Sequence, residues 1–361
     1  MKKVGIITWH QYHNFGSALQ ASALRITLSN LGYETRIINY QSSVGKNYIS
    51  HRLRCLLGDV SAFINAPILY RTRYSFLRFQ EKYMRLTRCV LDKDLVDIGK
   101  EFDAIICGSD QIWAPNVLNP VYLLNWADGK EVRKISYAAS IGLSNIPETL
   151  ISTYREALND FYRISVREQA GKQLLNEIFD IEAKVVLDPT FLLTAKQYQN
   201  MEKRVPIVNK NYIFCYFLNS KHNYRNSVEL FAADKSLCAI GISLNPDDYK
   251  WMTVLGNEVG PAEFIYLVRN ANYVFTDSYH GTIFSLLFHK EFYTFERFAS
   301  SDPINQNSRI YQLDNWFGIK DRIVSVEQQL PLANKLDYEL FESKLAEYRD
   351  ISFEYLLEAL S

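Results

Sequence analysis

Short runs of apolar residues, rich in Val, Ile and Tyr, alternate with longer stretches in which apolar positions recur every three or four residues. That alternation is the pattern of parallel strands and the helices that cover them. Residues 4–9 read as a buried first strand. Leu19, Ala23, Ile26 and Leu31 then give a helix over about 17–30 its apolar face, and Gly32 stops it. Further strands are expected at 35–40, 102–107, 134–139, 163–166 and 184–187, with helices over 148–162 and from about Glu168. After Asp188-Pro189-Thr190 the pattern loosens, so 190–208 reads as a linker. A second series follows, with strands at 212–218, 237–243, 273–276 and 292–295 and helices over 221–233, 261–270 and 280–288. A mixed-charge helix over 336–360 ends the sequence. The expectation is an α/β chain of two Rossmann-like, doubly wound domains, 1–198 and 199–361, the second carrying the terminal helix. Such domains hold ligands at the carboxyl ends of their strands, in a cleft between the halves.

Composition narrows the class. The 361 residues are 48% hydrophobic, enough for two cores, and 40 basic residues balance 40 acidic ones. No nucleic-acid partner is implied. The balance breaks locally between Lys46 and Arg88, where nine basic residues face two acids and aromatic residues lie between the arginines. This segment reads as helical, and it is the place where contact with an anionic membrane leaflet is expected. The five cysteines are scattered without a CxxC pair, as reduced thiols are. The early apolar run is too short for a signal peptide and no run suits a membrane span. A cytoplasmic protein, at the inner face of the membrane through that basic segment, is expected.

Four strand-end turns could carry chemistry. Asn14, Gly16 and Ser17 stand where the first strand passes into the first helix. There they could close the helix end or offer free N–H groups to a ligand. Gly108, Ser109, Asp110 and Gln111 precede Trp113 at another strand end, a small polar run suited to a hydroxyl-rich ligand or to a capped turn. Arg167 leaves a short buried strand. Its planar fork suits carboxylate or phosphate, and a salt bridge to Glu168 or Asp188 is the competing use. In the fourth turn Asp277 and Ser278 are expected as caps. His280, Gly281 and Thr282 open an apolar helix, placing the imidazole at a helix N-terminus where it can accept or pass on a proton. No dinucleotide fingerprint, P-loop, nucleophile elbow or zinc motif is present in the sequence. Asp92-Lys93-Asp94 spells a DxD triplet but reads as a solvated helix start. No metal or cofactor is expected.

The order and spacing of these pieces resemble the polysaccharide pyruvyl transferase family. The resemblance runs from Val4 to about Arg322 and rests on Asn14 to Gln20, Gly108 to Trp113, Ser136 to Gly142, Ser165 to Glu168, Asp188 to Thr190 and Thr276 to Thr282. It implies a fold similar to GT-B glycosyltransferases. It also implies transfer of pyruvate from phosphoenolpyruvate onto two hydroxyls of a sugar, or of a lipid-linked oligosaccharide, in a surface-polysaccharide precursor. Arg167 and His280 match the family's arginine and histidine and become the expected catalytic pair. Asp277, Ser278, Gly281, Thr282, Arg297 and Arg309 would hold the donor. Asn14, Gly16, Ser17, Gly108, Ser109, Asp110 and Gln111 would hold the acceptor. The chain departs from the family pattern in carrying Ser278-Tyr279 where active members often have Arg-Leu, so Arg297, Arg309 or Arg269 must supply that cation if the donor is the same. A glycosyltransferase using a nucleotide sugar and a non-catalytic glycan-intermediate binder are the competing functions.

Overall fold

A computed structural model describes residues 1–11, 14–41, 67–143, 145–206, 211–218, 224–243, 246–255, 259–299, 302, 305–325, 330–331 and 333–361. It divides into two compact units, Met1–Leu192 with Glu347–Ser361, and Leu193–Ala346.

In the first unit β1 (Lys3–Ile7), α1 (Phe15–Asn30), β2 (Glu34–Tyr40), α2 (Pro67–Tyr83), β3 (Leu86–Val90), α3 (Leu95–Gly99), β4 (Ala104–Cys107) and β5 (Arg133–Ser136) succeed one another. The five strands form a wholly parallel sheet in the order β3-β2-β1-β4-β5. After α4 (Glu148–Leu158), the short strands β6 (Ser165–Val166) and β7 (Lys184–Val185) flank α5 (Gln169–Phe179). Single bridges from Ile135 to Arg163 and from Ala139 to Val166 continue the sheet towards them.

The second unit contains α6 (Ala195–Met201), β8 (Tyr212–Phe217), α7 (Arg225–Lys235), β9 (Cys238–Ser243), β10 (Thr253–Val254), α8 (Pro261–Asn270), β11 (Tyr273–Thr276), α9 (Tyr279–Leu287), β12 (Glu291–Phe295), α10 (Ser308–Phe317) and β13 (Ile323–Val324). Its parallel sheet runs β10-β9-β8-β11-β12-β13. The interior strands β4 and β8 are buried at every position, which is why they read as unbroken apolar runs rather than alternating ones. Each sheet therefore has the doubly wound order, and each reverses direction once, between β1 and β4 and between β8 and β11.

Three expectations change. The stretch read as a linker contains α6, whose first turn is closed by Thr194 and Gln197 in a reciprocal capping box. Of the basic segment, residues 46–66 lie outside the described residues, Pro67–Tyr83 is helical as expected, and Leu86–Val90 is an edge strand. The terminal helix α11 (Tyr338–Leu360) leaves the second unit part-way along, and the last fifteen residues pack with the first. Ser352 Oγ accepts from Leu187 N at 3.0 Å, Arg349 Nε donates to Phe191 O at 2.6 Å and Tyr355 OH donates to Ser136 O at 2.8 Å. These bonds tie the end of the helix to backbone groups of the first unit. No helix among the described residues is long and apolar enough to cross a membrane.

Candidate active site

In the first unit, the loops after β1 and β4 meet at the switch point. Asn14 caps α1, its Oδ1 accepting from Ser17 N at 3.1 Å, as the capping reading of this turn required. Gly16 lies buried in the first turn. Ser17 Oγ donates to Asp110 Oδ2 at 2.5 Å, which ties the start of α1 to the loop after β4. Asp110 Oδ1 accepts from Gln111 N at 2.9 Å. Ser109 is buried and fully engaged: its N donates to Gln20 Oε1 at 3.1 Å, its O accepts from Thr8 Oγ1 at 2.7 Å, and its Oγ donates to Ala138 O at 2.8 Å. Gly108 has φ +117°, and a Cβ there would come within 2.1 Å of Tyr137 O, so no other residue fits. Behind this loop Trp113 is fully buried and donates from Nε1 to Tyr122 O at 3.0 Å.

A cavity of about 370 Å³ opens beside this turn, at the carboxyl ends of β1 and β2. Asn14 and Ser17 line it, with Trp9, Tyr40 and Tyr122 among the apolar walls. Gly108, Ser109, Asp110 and Gln111 do not line it; Asp110 acts on it through Ser17. The aromatic walls come from three separate segments. Beside Asn14 and Ser17, Asn119, which precedes Pro120 and caps the next turn, carried a local signal of its position.

Arg167 is buried beside two carboxylates. Its side chain is 1% exposed, with Nε 3.1 Å from Glu168 Oε1 and Nη1 2.9 Å from Asp188 Oδ2. Ser140 donates to Glu168 at 2.6 Å, Thr190 donates to Asp188, and Ser109 Oγ lies 3.2 Å from Asp188 Oδ2. Within the first unit, then, the guanidinium faces two carboxylates, and an added anion would meet both. The competing salt bridge is formed, to both candidate partners at once.

In the second unit, the loops after β8 and β11 likewise meet at the switch point. Asp277, expected as a cap, instead accepts from Leu218 N at 2.7 Å and so ties the two loops together. Ser278 caps α9, with Oγ 3.4 Å from Gly281 N. His280 is the second residue of α9, buried, with its ring edge-on to Tyr279 at 5.3 Å. A Cβ on Gly281 would lie 2.4 Å from Thr276 Oγ1, so glycine there lets the helix sit on β11; the close approach is to this chain's own Thr276. Thr282 is core, its hydroxyl donating to Ser278 O at 3.1 Å and meeting Thr294 Oγ1 at 2.8 Å. Gly281 and Thr282 therefore shape the turn.

Two arginines converge on this turn. Arg297, two residues past β12, donates from Nη2 to Asp277 O at 2.9 Å and keeps Nε 3.8 Å from Asp277 Oδ2. Arg309, on α10, lies with Cζ 5.9 Å from the centre of the Tyr279 ring and bonds to Gln306. Arg269 is instead held by Glu202, at 2.6 and 2.7 Å. Beside Arg297, Glu296 accepts from the Tyr311 hydroxyl, whose pKa is pushed up to about 12 by burial and by that carboxylate. Tyr311 therefore stays a donor at neutral pH.

The model of the polysaccharide pyruvyl transferase family matches residues 14–297, a span that begins at the α1 cap and ends at Arg297. The chain belongs to the polysaccharide pyruvyl transferase family. It is accordingly an enzyme, a transferase. No curated protein sequence matches it. Among solved structures it is similar to UDP-GlcNAc 2-epimerase from Methanocaldococcus jannaschii, with TM-score 0.53 and 12% identity over 96% of this chain and 100% of that one. The Neisseria meningitidis UDP-GlcNAc 2-epimerase gives TM-score 0.52 and 11% identity over 99% and 100%. At such identity the likeness is one of fold, the expected pair of Rossmann-like α/β domains of GT-B type.

Proposed function

We propose that this pyruvyl transferase family member transfers the enolpyruvyl carbon skeleton of phosphoenolpyruvate to two hydroxyls of a sugar, forming a cyclic ketal and releasing phosphate. The observation that carries the reading is the convergence of Arg297 and Arg309 on the turn that holds His280 at the N-terminus of α9. Ser278 and Tyr279 stand where active relatives often carry a cation, and these two arginines come to the same turn from β12 and α10. Phosphoenolpyruvate brings a carboxylate and a phosphate, and guanidinium groups beside a helix N-terminus suit both.

The chemistry balances without an outside oxidant or reductant. The methylene carbon gains a proton, which makes C2 electrophilic; one sugar hydroxyl bonds to C2 and loses its proton. The bond from C2 to the phosphate oxygen then breaks, and a second hydroxyl closes the ketal while its proton leaves with phosphate. His280 is the group proposed to deliver or remove a proton in this sequence. Arg167 enters as a positioning residue that fixes the ends of β6 and β7. A surface-polysaccharide or lipid-linked acceptor is held on the first unit near Asn14 and Ser17.

One solved neighbour of like fold binds UDP-GlcNAc, so a nucleotide sugar is the donor to set against phosphoenolpyruvate. Isothermal titration with each decides between them: phosphoenolpyruvate binding that falls at least tenfold in Arg309→Ala supports the proposal, whereas binding of a nucleotide sugar alone would reverse it. The basic segment 46–88 remains the proposed point of membrane contact, tested by flotation with anionic vesicles after Arg78→Glu, which should weaken binding.

A further inference from the structure

The cavity at the ends of β1 and β2 differs from the His280 turn in one chemical respect: among the described residues, none that lines it is Lys, Arg, Asp or Glu. Its volume of about 370 Å³ lies at the small end of ligand sites and suits one or two ring-sized groups. Tyr40 and Tyr122 meet edge to face, with centroids 6.2 Å apart and planes at 87°, so they form a corner of two aromatic surfaces. The C–H edges of a pyranose carry slight positive charge, and aromatic faces are negative, so a sugar ring fits such a corner as an uncharged amphipathic body.

The polar groups at the rim are set for hydroxyls. Gln11 donates from Nε2 to Tyr40 O at 2.6 Å and to Asn39 Oδ1 at 3.1 Å, which turns its Oε1 into the end that can accept from a ligand. Asn14 spends Oδ1 on Ser17 N, and its Nδ2 remains a donor with no partner among the described residues. Ser17 gives its proton to Asp110, leaving its oxygen an acceptor.

Charge behind the walls works against anions. The Asp110 carboxylate lies one hydrogen bond behind Ser17, and Asp92 Oδ1 lies 2.6 Å behind the Tyr40 hydroxyl. His10, which lines the cavity, is held below its ordinary value by burial, which disfavours its charged form. A diphosphate or uronate placed here would meet the Asp110 carboxylate and, among the described residues, no lining cation.

We propose that this cavity is a subsite for an uncharged pyranose ring and discriminates against acidic sugars and nucleotides. Only the identification of that ring as part of the acceptor rests on the pyruvyl-transfer reading; the binding itself does not. Tyr122 and Gln11 are its specificity determinants.

Saturation-transfer NMR with methyl gluco-, galacto- and mannopyranosides, methyl glucuronoside and UDP tests this on the whole chain. At least one neutral hexoside should bind with a Kd on the order of 1 mM. The glucuronoside should bind at least fivefold more weakly, and UDP should not displace the hexoside. Tyr122→Leu should weaken hexoside binding at least fivefold. Gln11→Ala, at an exposed position, should weaken it about threefold with the fold intact by circular dichroism. Absence of hexoside binding, a glucuronoside or UDP that binds as well, or both variants binding as wild type would overturn the proposal. Phosphoenolpyruvate consumption measured on the same samples separates the two readings. Hexoside binding without turnover would leave the subsite and remove the transfer reaction; turnover without Tyr122-dependent binding would do the reverse.

Discussion

Arg167 and Arg297 both leave the carboxyl end of a parallel strand, and their surroundings differ in a way the residue type does not reveal. Arg167 is 1% exposed and neutralised twice over, by Glu168 and Asp188. Arg297 is 22% exposed, with the Asp277 carboxylate 3.8 Å from Nε and a backbone carbonyl as its short contact. The first arrangement fixes a fold: three buried charges are stable only together, because desolvating any one alone costs more than its attractions return. The second leaves a cation near a helix N-terminus, the electrostatic setting in which an anionic ligand is stabilised. The same side chain is thus a brace in one unit and a candidate ligand group in the other.

The comparison breaks most visibly if the brace is removed. Arg167→Ala leaves two carboxylates buried without their cation and should cost about 3–5 kcal/mol of stability, read as a fall in the urea midpoint. A shift below about 1 kcal/mol would mean that Arg167 is no brace. Next comes Arg309→Ala. Losing one charge-assisted contact of about 1.5–3 kcal/mol should raise the phosphoenolpyruvate half-saturation concentration ten- to a hundredfold while moving the midpoint little. If stability falls instead, Arg309 belongs with Arg167. Gly281→Ala drives a methyl group into Thr276 and should cost about 1–3 kcal/mol, with the pair Gly281→Ala/Thr276→Ser recovering part of it in thermal unfolding.

The smallest effect concerns pH. Burial holds His10 below its ordinary value of 6.5 in the folded chain, so the unfolded chain binds the proton more readily. The stability His10 contributes is complete above about pH 6.5 and is lost as pH falls below it. His10→Asn should therefore flatten the pH dependence of the unfolding midpoint between pH 6.5 and 5; an unchanged slope would contradict the assignment.

Much of this was legible in the residues. The apolar runs at 273–276 and 261–270 mark β11 and α8 to the residue, because a buried parallel strand and a Pro-led helix have sharp ends. Asn14 and Ser278 cap the helices that their residue types suggested. What the sequence hid is pairing at long range. Leu86–Val90 is an edge strand inside a basic run whose charges masked it, and α11 changes units because Ser352 and Tyr355 meet groups more than 160 residues earlier. The strand end that suggested Arg167 as a ligand group was read correctly as a position. Its two carboxylate partners decide its use, and Asp188 lies 21 residues away. The cavity walls Trp9, Tyr40 and Tyr122 share no local motif, so only the fold assembles them.

The most direct test of the account is phosphate release from phosphoenolpyruvate, measured with and without nitrophenyl or lipid-linked sugars. Release should depend on the acceptor and fall by at least a hundredfold in His280→Ala, with the far-ultraviolet circular dichroism unchanged. Release that ignores the acceptor, or an unaffected His280→Ala enzyme, would contradict it.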